Sequence, residues 1–504
     1  MDKYLARSID QALQEWKDNP CRKPLLVRGA RQVGKSCTIR HLGNSFKYFL
    51  EVNVERNPEV MEFFKGSRDV KSIAAKLSDF FNVPVVPGET LLFLDEIQKS
   101  EDVIHSLWFF KEDYPELHVV AAGSLLEFAL KDLSSFGVGR VSSLFVYPMS
   151  FDEFLMATGQ EGLLRTKRNC SPLNPLPEAF YAKLVEAFRS YMLVGGMPEA
   201  VATYTETGSY RYSSDIVNEI IQGYQDDFAK YGAKANPLLL RQTLISVAHQ
   251  AGAKFVYSRV EGQYRSAEVK VALEMLKDAG LIIPTYHTDA NGVPLGAEIN
   301  ERVVKYLIHD TGVLLGILGI DDDIDDSIKE MMVADSIDLV DKGHVAEMMA
   351  GLELIKYSSP QKRHQLYYWQ NMNKGTCAEV DYVIARSGSI VPIEVKSGVK
   401  GSMSSMYSLM RHPQKHIEMG IRCSLENFGT FESPDGKKID IIPLYAISNL
   451  FQPPHIIQHT DRRRRTEYMI AEGDNGFGAR CASKELTRKS ASSRMRWSRL
   501  VTSV

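Results

Sequence analysis

The chain has 504 residues, 44% of them hydrophobic and 24% charged, and a formal net charge of −3. That length exceeds a single hydrophobic core and calls for about three or four domains of ordinary globular composition, while the near-neutral charge excludes a global basic field, so any nucleic-acid contact must be local. Six scattered cysteines without a CxxC pair fit free thiols in a reducing cytoplasm, the first seven residues contain no apolar signal segment, and the longest apolar runs, such as residues 313–318, fall far short of the roughly 20 residues a membrane span needs.

From the N-terminus, the first strong signal is the apolar strand Leu25-Leu26-Val27-Arg28. It runs into Gly29-Ala30-Arg31-Gln32-Val33-Gly34-Lys35-Ser36 and then into the helix-compatible Cys37-Thr38-Ile39-Arg40-His41-Leu42. A nucleoside triphosphate needs that order of parts. Gly29 and Gly34 let backbone N–H groups wrap the phosphates, and the helix N-terminus adds partial positive charge. Lys35 is expected to reach the β- and γ-phosphates and the Ser36 hydroxyl to bind Mg²⁺. Residues 46–54 read as a second strand. Thr90-Leu91-Leu92-Phe93-Leu94-Asp95-Glu96 reads as a third, apolar enough to be buried on both faces of a parallel sheet. At its end, Asp95 is expected to hold Mg²⁺ through water and Glu96 to polarise the attacking water; the alternative is a capping pair before a helix from Ile97. Residues 117–124 form a fourth strand ending in Gly123-Ser124, where Ser124 is a candidate γ-phosphate sensor. Gly137-Val138-Gly139-Arg140 precedes a fifth strand, 143–147, and Arg140 is a candidate arginine finger, or else a plain surface arginine. Ser150 then reads as a helix N-cap with Glu153 at the capping-box position, so Asp152 and Glu153 are assigned to cap chemistry.

These motifs in this order resemble a prokaryotic group of AAA-type ATPases. The resemblance rests on residues 29–36, on Leu94-Asp95-Glu96-Ile97-Gln98, on Ala122-Gly123-Ser124-Leu125, and on the block 148–154 after a Gly-Arg pair. It extends to Tyr191-Met192-Leu193-Val194-Gly195-Gly196-Met197-Pro198-Glu199 and to Asp226-Asp227-Phe228-Ala229-Lys230-Tyr231, and covers roughly residues 1–450. It implies an ATPase with a helical lid, a winged-helix module and a C-terminal restriction-nuclease-like domain. Ser36 stands where the group more often has Thr, which leaves the chemistry intact.

Residues 156–250 carry helical periodicity, with positions 180, 184, 185 and 188 forming one stripe. Gly195-Gly196 with Pro198 is expected to break the helix and turn near the nucleotide; the alternative to a lid is a structural spacer. Residues 237–300 fit a winged helix-turn-helix: a helix over 237–250, two more between 263 and 279 with the stripe Val269, Val271, Leu273, Met275, Leu276, and a wing hairpin turning at 289–292. Arg259, Gln263, Tyr264, Arg265 and Lys270 are the candidate DNA-facing side chains, unless the module serves only for packing.

Residues 377–385 alternate as a strand, and a turn at 386–389 leads to a second strand through Lys396. Asp381 and the Glu394-x-Lys396 pair can then meet across the hairpin to chelate Mg²⁺, with Lys396 positioning water. The arrangement resembles the PD-(D/E)xK nuclease core, which implies Glu347, in a helix over 343–354, as the upstream acid, with Gln370 a weaker addition. Relatives of that core often keep the fold without cleavage. From Arg462 onward the chain holds 11 basic and 4 acidic residues with no apolar periodicity, and reads as a disordered basic tail.

The expected architecture is α/β: an AAA-type P-loop core (1–155), a helical lid (156–236), a winged-helix-like domain (237–340), an α/β nuclease-like domain (341–450) and the tail (451–504). The expected function is ATP hydrolysis on or near DNA. ATP and Mg²⁺ are the cofactors, held by residues 29–37 and by Ser36 with Asp95. Glu96, Ser124 and Arg140 are catalytic, and Glu347, Asp381, Glu394 and Lys396 form the nuclease-like set. DNA and further copies of the chain are the expected partners, with no membrane. The alternative is a nucleotide-dependent switch or scaffold that controls partner binding without cutting nucleic acid.

Overall fold

The computed structural model describes residues 4–124, 126–132, 139–230, 236–319, 342–371, 378–398 and 401–451. The expected tail lies outside them from residue 452 on, as do Leu125, Gly137, Val138, Tyr231 and Cys377 from the motifs above. The described part belongs to one unit ending at Pro453.

Five apolar strands build the first sheet: β1 (Leu25–Arg28), β2 (Tyr48–Asn53), β3 (Thr90–Asp95), β4 (His118–Ala122) and β5 (Ser142–Phe145). Their order is β2-β3-β4-β1-β5, and every pairing is parallel. All six residues of β3 are buried, as a strand covered on both faces by helices requires. Because the pairings are parallel, the ends of β1, β3 and β4 open at one edge of the sheet. The expected strand limits shift by one to two residues. Val146 still donates its N–H to Arg28 of β1, but Pro148 has none to give, so the fifth strand ends there.

The helices Glu178–Val194, Pro198–Thr207 and Tyr210–Phe228 follow. In the first, Leu184, Val185 and Phe188 are buried as expected, but Phe180 lies exposed near the helix start and Tyr191, one turn past Phe188, takes the next inward place. Gly195 ends that helix at φ 78°, and Pro198 opens the next at a first-turn position.

Residues 237–308 depart from a free-standing winged helix. A helix Pro237–His249 and a short 3₁₀ turn Tyr257–Arg259 precede a single helix, Ser266–Asp278, where two were expected. Val271 is exposed because the 3.6-residue period carries 269, 272, 273 and 276 inward and leaves 271 on the opposite side. The hairpin of β6 (Ile282–Thr288) and β7 (Ile299–Ile308) is not a projecting wing. The outer edge of β6 pairs with β8 (Leu366–Gln370), which pairs in turn with β9 (Glu379–Val380).

The C-terminal sheet holds β10 (Tyr382–Arg386), β11 (Ser389–Val395), β12 (Met419–Ser424), β13 (Gly429–Glu432) and β14 (Lys438–Pro443), in the order β10-β11-β12-β14-β13. Ser387 and Gly388 both have positive φ, the two-residue hairpin turn expected between β10 and β11. The single strand expected over 377–385 divides at Asp381: β9 pairs with β8, β10 pairs with β11, and Asp381 stands at the junction. The helix Lys342–Lys356 packs on β7, β11 and the segment Leu444–Leu450. One apolar cluster runs from Ile9 to Leu450, so these parts share a core. Among the described residues, no helix is long and apolar enough to cross a membrane.

Candidate functional site

The loop after β1 takes the conformation its glycines permit. Gly29 has φ 146°, and a Cβ there would lie 2.2 Å from the Val146 carbonyl oxygen; Gly34 has φ 92°. The helix Lys35–Gly43 begins immediately after. Lys35 is buried, and its ammonium donates to the carbonyls of Gly29 (2.9 Å) and Ala30 (2.6 Å). Burial pulls the Lys35 pKa down to about 8, against the attraction of Glu96 and Asp95.

At the end of β3, Asp95 accepts from the Ser36 hydroxyl at 3.2 Å and from the Asn53 amide at 3.4 Å. Burial, then the neighbouring Glu96, raises its pKa. Glu96 has φ 55° and precedes only a 3₁₀ turn, Ile97–Lys99; the long helix Glu101–Asp113 is capped by Ser100 instead, so the acid pair caps no α-helix. The Ser124 hydroxyl donates to Glu96 Oε2 at 3.0 Å, and Gln98 Nε2 donates to the same oxygen. Gln98 reaches across because residue 123 has no side chain: a Cβ there would meet Gln98 Oε1 at 2.1 Å.

Ser36, Asp95, Glu96 and Ser124 therefore converge at one sheet edge, and Lys35 opens the helix beside them. Arg140 does not join them. It precedes the start of β5, which pairs with the start of β1 at the opposite sheet edge, and there it forms an ion pair with Glu112 (2.9 Å) and lies over the Trp108 ring. Cys37 is exposed on the first turn of the helix.

Four groups that sequence reasoning missed hold this site. Asn53 and Gln98 are two; Gln98 closes the motif over residues 94–98, but it carries no role in the sequence reading. Arg7 is buried and donates to the carbonyls of Val33 (3.0 Å) and Tyr147 (2.7 Å), with an ion pair to Glu153 at 3.2 Å. Nothing at position 7 advertises this. Asp227, from the acid-rich block, pairs with Arg31 of the loop and with Lys230 (2.8 Å). Ser150 and Glu153 form the expected capping box.

A chain of buried contacts leaves the loop. Tyr224 donates to the Arg31 carbonyl at 3.1 Å and lies 3.2 Å from His309 at the end of β7. The next residue, Asp310, accepts from the Gly196 N–H at 2.6 Å, and the Gly196 carbonyl accepts from Met149. Glu353 accepts from the Phe151 N–H and the Tyr191 hydroxyl, while Lys356 donates to the Met149 carbonyl. Both belong to the helix Lys342–Lys356.

That helix also carries Glu347. The acids expected of the nuclease-like set do approach one another. Asp381 Oδ2 accepts from the Val395 N–H at 2.7 Å, and Glu394 Oε1 pairs with Lys396 at 2.6 Å. An unforeseen lysine, Lys305 of β7, reaches Glu347 Oε1 at 2.8 Å and Glu379 at 2.5 Å. Burial pushes Glu347 up to about 8 despite Lys305, and burial followed by the charge of Asp381 pushes Glu394 up to about 7. Among the described residues, no three His, Cys, Asp or Glu groups are arranged to hold a metal ion. Gln370 has its carbonyl 3.1 Å from the His287 ring and stands opposite Glu379 in the β8–β9 pairing. Of the candidate DNA-facing side chains, Arg259, Gln263, Arg265 and Lys270 are exposed and Tyr264 is half-buried.

Residues 21–155 match the family described as an AAA domain. Residues 185–324 and 342–447 match two families described as domains of unknown function, DUF8612 and DUF4143. No curated protein matches the chain. Among solved structures it is similar to the Aeropyrum pernix Orc1 protein in complex with DNA, at 13% identity over 63% of this chain and 94% of that one, with a TM-score of 0.27.

Proposed function

We propose that this AAA-domain chain hydrolyses ATP in the loop 29–37 and passes the resulting change to its C-terminal half. The observation that carries this reading is the pair of adjoining hydrogen-bonded sets at one sheet edge: Ser36–Asp95–Asn53 beside Glu96–Ser124–Gln98. The first set suits Mg²⁺, since a hydroxyl and a carboxylate already share a hydrogen bond; Ser36 and Asp95 would hold the ion, which supplies charge neutralisation on the phosphates. The second set suits proton removal. Glu96 takes the proton of the attacking water, and Ser124 and Gln98 fix its carboxylate and the water's approach. Lys35 exchanges its loop carbonyls for phosphate oxygens, gaining charged acceptors for neutral ones. Arg140 has no part in the same subunit's site; as a finger it acts on a second copy.

The output is mechanical. Phosphate in the loop pulls on Arg31 and Lys35, and the contacts through Tyr224, His309, Asp310 and Gly196 lead to Glu353 and Lys356 on the helix Lys342–Lys356. This favours a nucleotide-dependent switch. DNA is the proposed partner, through the exposed face of Arg259, Gln263, Arg265 and Lys270, with phosphates met by the three cations.

Steady-state ATPase rates with and without single- and double-stranded DNA test the reading. Lys35→Ala is expected to abolish turnover. Glu96→Gln is expected to keep nucleotide binding and lose about 10²–10⁴-fold in rate, the usual worth of a general base. Wild-type turnover by Lys35→Ala would refute the ATPase assignment; a rate indifferent to every DNA form would refute the partner.

A further inference from the structure

The acids of the C-terminal half meet in the interior around a side chain that no nuclease reading anticipates. Lys305 is 1% exposed, on the inner part of β7. Its ammonium touches Glu347 and Glu379 and lies 5.0 Å from the centre of the Tyr368 ring. Two carboxylates and an aromatic face make a cage suited to an ammonium. Burial by itself would strip a lysine of its proton; Glu347 and Glu379 outweigh it and hold Lys305 above its ordinary range.

We propose that the Lys305 ammonium is the resident cation of the cluster formed by Glu347, Glu379, Asp381 and Glu394, and that these acids bind no divalent metal. A metal does not fit the donors that remain. Mg²⁺ needs oxygens at roughly 2.0–2.1 Å in near-octahedral array. An ion that close to Glu347 Oε1 would stand against an ammonium bound to the same oxygen, in an interior where like charges are weakly screened. The Lys305 side chain is itself buried, at 1% exposure. Asp381 Oδ2 and Glu394 Oε1 already have partners, in the Val395 N–H and Lys396. Glu394 Oε2 is buried without one.

The inference is independent of the ATPase reading and is tested on the full chain without nucleotide. Thermal melts in EDTA and in excess Mn²⁺ are compared for the wild type, Ser36→Ala and Asp381→Asn, with titration calorimetry of Mn²⁺ alongside. The wild type is expected to show no Mn²⁺-dependent rise that Asp381→Asn removes. Lys305→Met is expected to create one, removed by Asp381→Asn in the same background, while Lys305→Arg stays unresponsive. A wild-type rise that survives Ser36→Ala and disappears in Asp381→Asn would overturn the proposal. So would a folded Lys305→Met that gains no Mn²⁺ response. If Lys305→Met does not fold, the comparison among the wild type, Ser36→Ala and Asp381→Asn still decides.

Discussion

Arg7 lies 22 residues before the phosphate loop yet fixes its position, and Arg7→Ala measures how much. The guanidinium ties Val33 of the loop to Tyr147 at the exit of the sheet and neutralises Glu153, both partners being almost fully buried. Removing one member of a buried pair typically costs about 3–5 kcal/mol, because the remaining charge is left uncompensated. Here the lower end applies. Glu153 retains donors in Ser8 N (2.6 Å), Ser8 Oγ (2.7 Å) and Ser150 N (2.7 Å). With a urea m-value of about 3 kcal/mol/M, a loss of about 3 kcal/mol moves the midpoint down by about 1 M. Tryptophan fluorescence follows it, with Trp16 on the adjoining helix Ile9–Asp18 among the reporters. Loss of the Val33 anchor should also weaken nucleotide binding about tenfold, equivalent to about 1.4 kcal/mol, read with a fluorescent ATP analogue. Arg7→Lys keeps the ion pair but cannot serve both carbonyls, and should fall between the two proteins. A midpoint shift below about 0.3 M in Arg7→Ala, with unchanged nucleotide affinity, would refute the claim that this side chain anchors the loop.

Gly196→Ala should be severely destabilising, by at least about 3 kcal/mol, since the new Cβ would stand 2.2 Å from the Met149 carbonyl oxygen, a backbone atom that no rotamer change can move; soluble yield and thermal melting check it. His309 is held down at about 4 by burial, and His118 likewise by burial and Arg22. Folded pKa values below the unfolded value of about 6.5 mean stability that is present above that pH and lost as pH falls towards 4. His309→Gln should therefore reduce, without abolishing, the slope of the urea midpoint between those pH values. Arg140→Ala should leave ATP affinity intact and slow turnover only in assembled protein; mixing it with Glu96→Gln subunits should restore part of the rate, and no rescue in a proven oligomer would exclude action between subunits.

How much was legible in the sequence follows from the range of the forces involved. Gly29, Gly34, Lys35 and Ser36 act through a loop whose conformation is local, so their spacing alone foretold it. The runs into Asp95 and Ser124 declared buried parallel strands because both faces had to be apolar, and Ser150 with Glu153 announced a cap through contacts three residues apart. The hairpin at Ser387-Gly388 was equally local. Tertiary packing decided the rest. Arg7 and Asp227 reach the loop from far along the chain, so no spacing rule could connect them to it. The β6–β7 hairpin resembled a free wing until β8 took its open edge, a pairing between segments some eighty residues apart. Asp381, Glu394 and Lys396 were readable as a hairpin constellation, but Lys305 was not. Its role depends on the face of β7 that packs against the helix Lys342–Lys356, and a lysine in a strand otherwise rich in apolar residues shows its partner only when the fold has placed it between two acids.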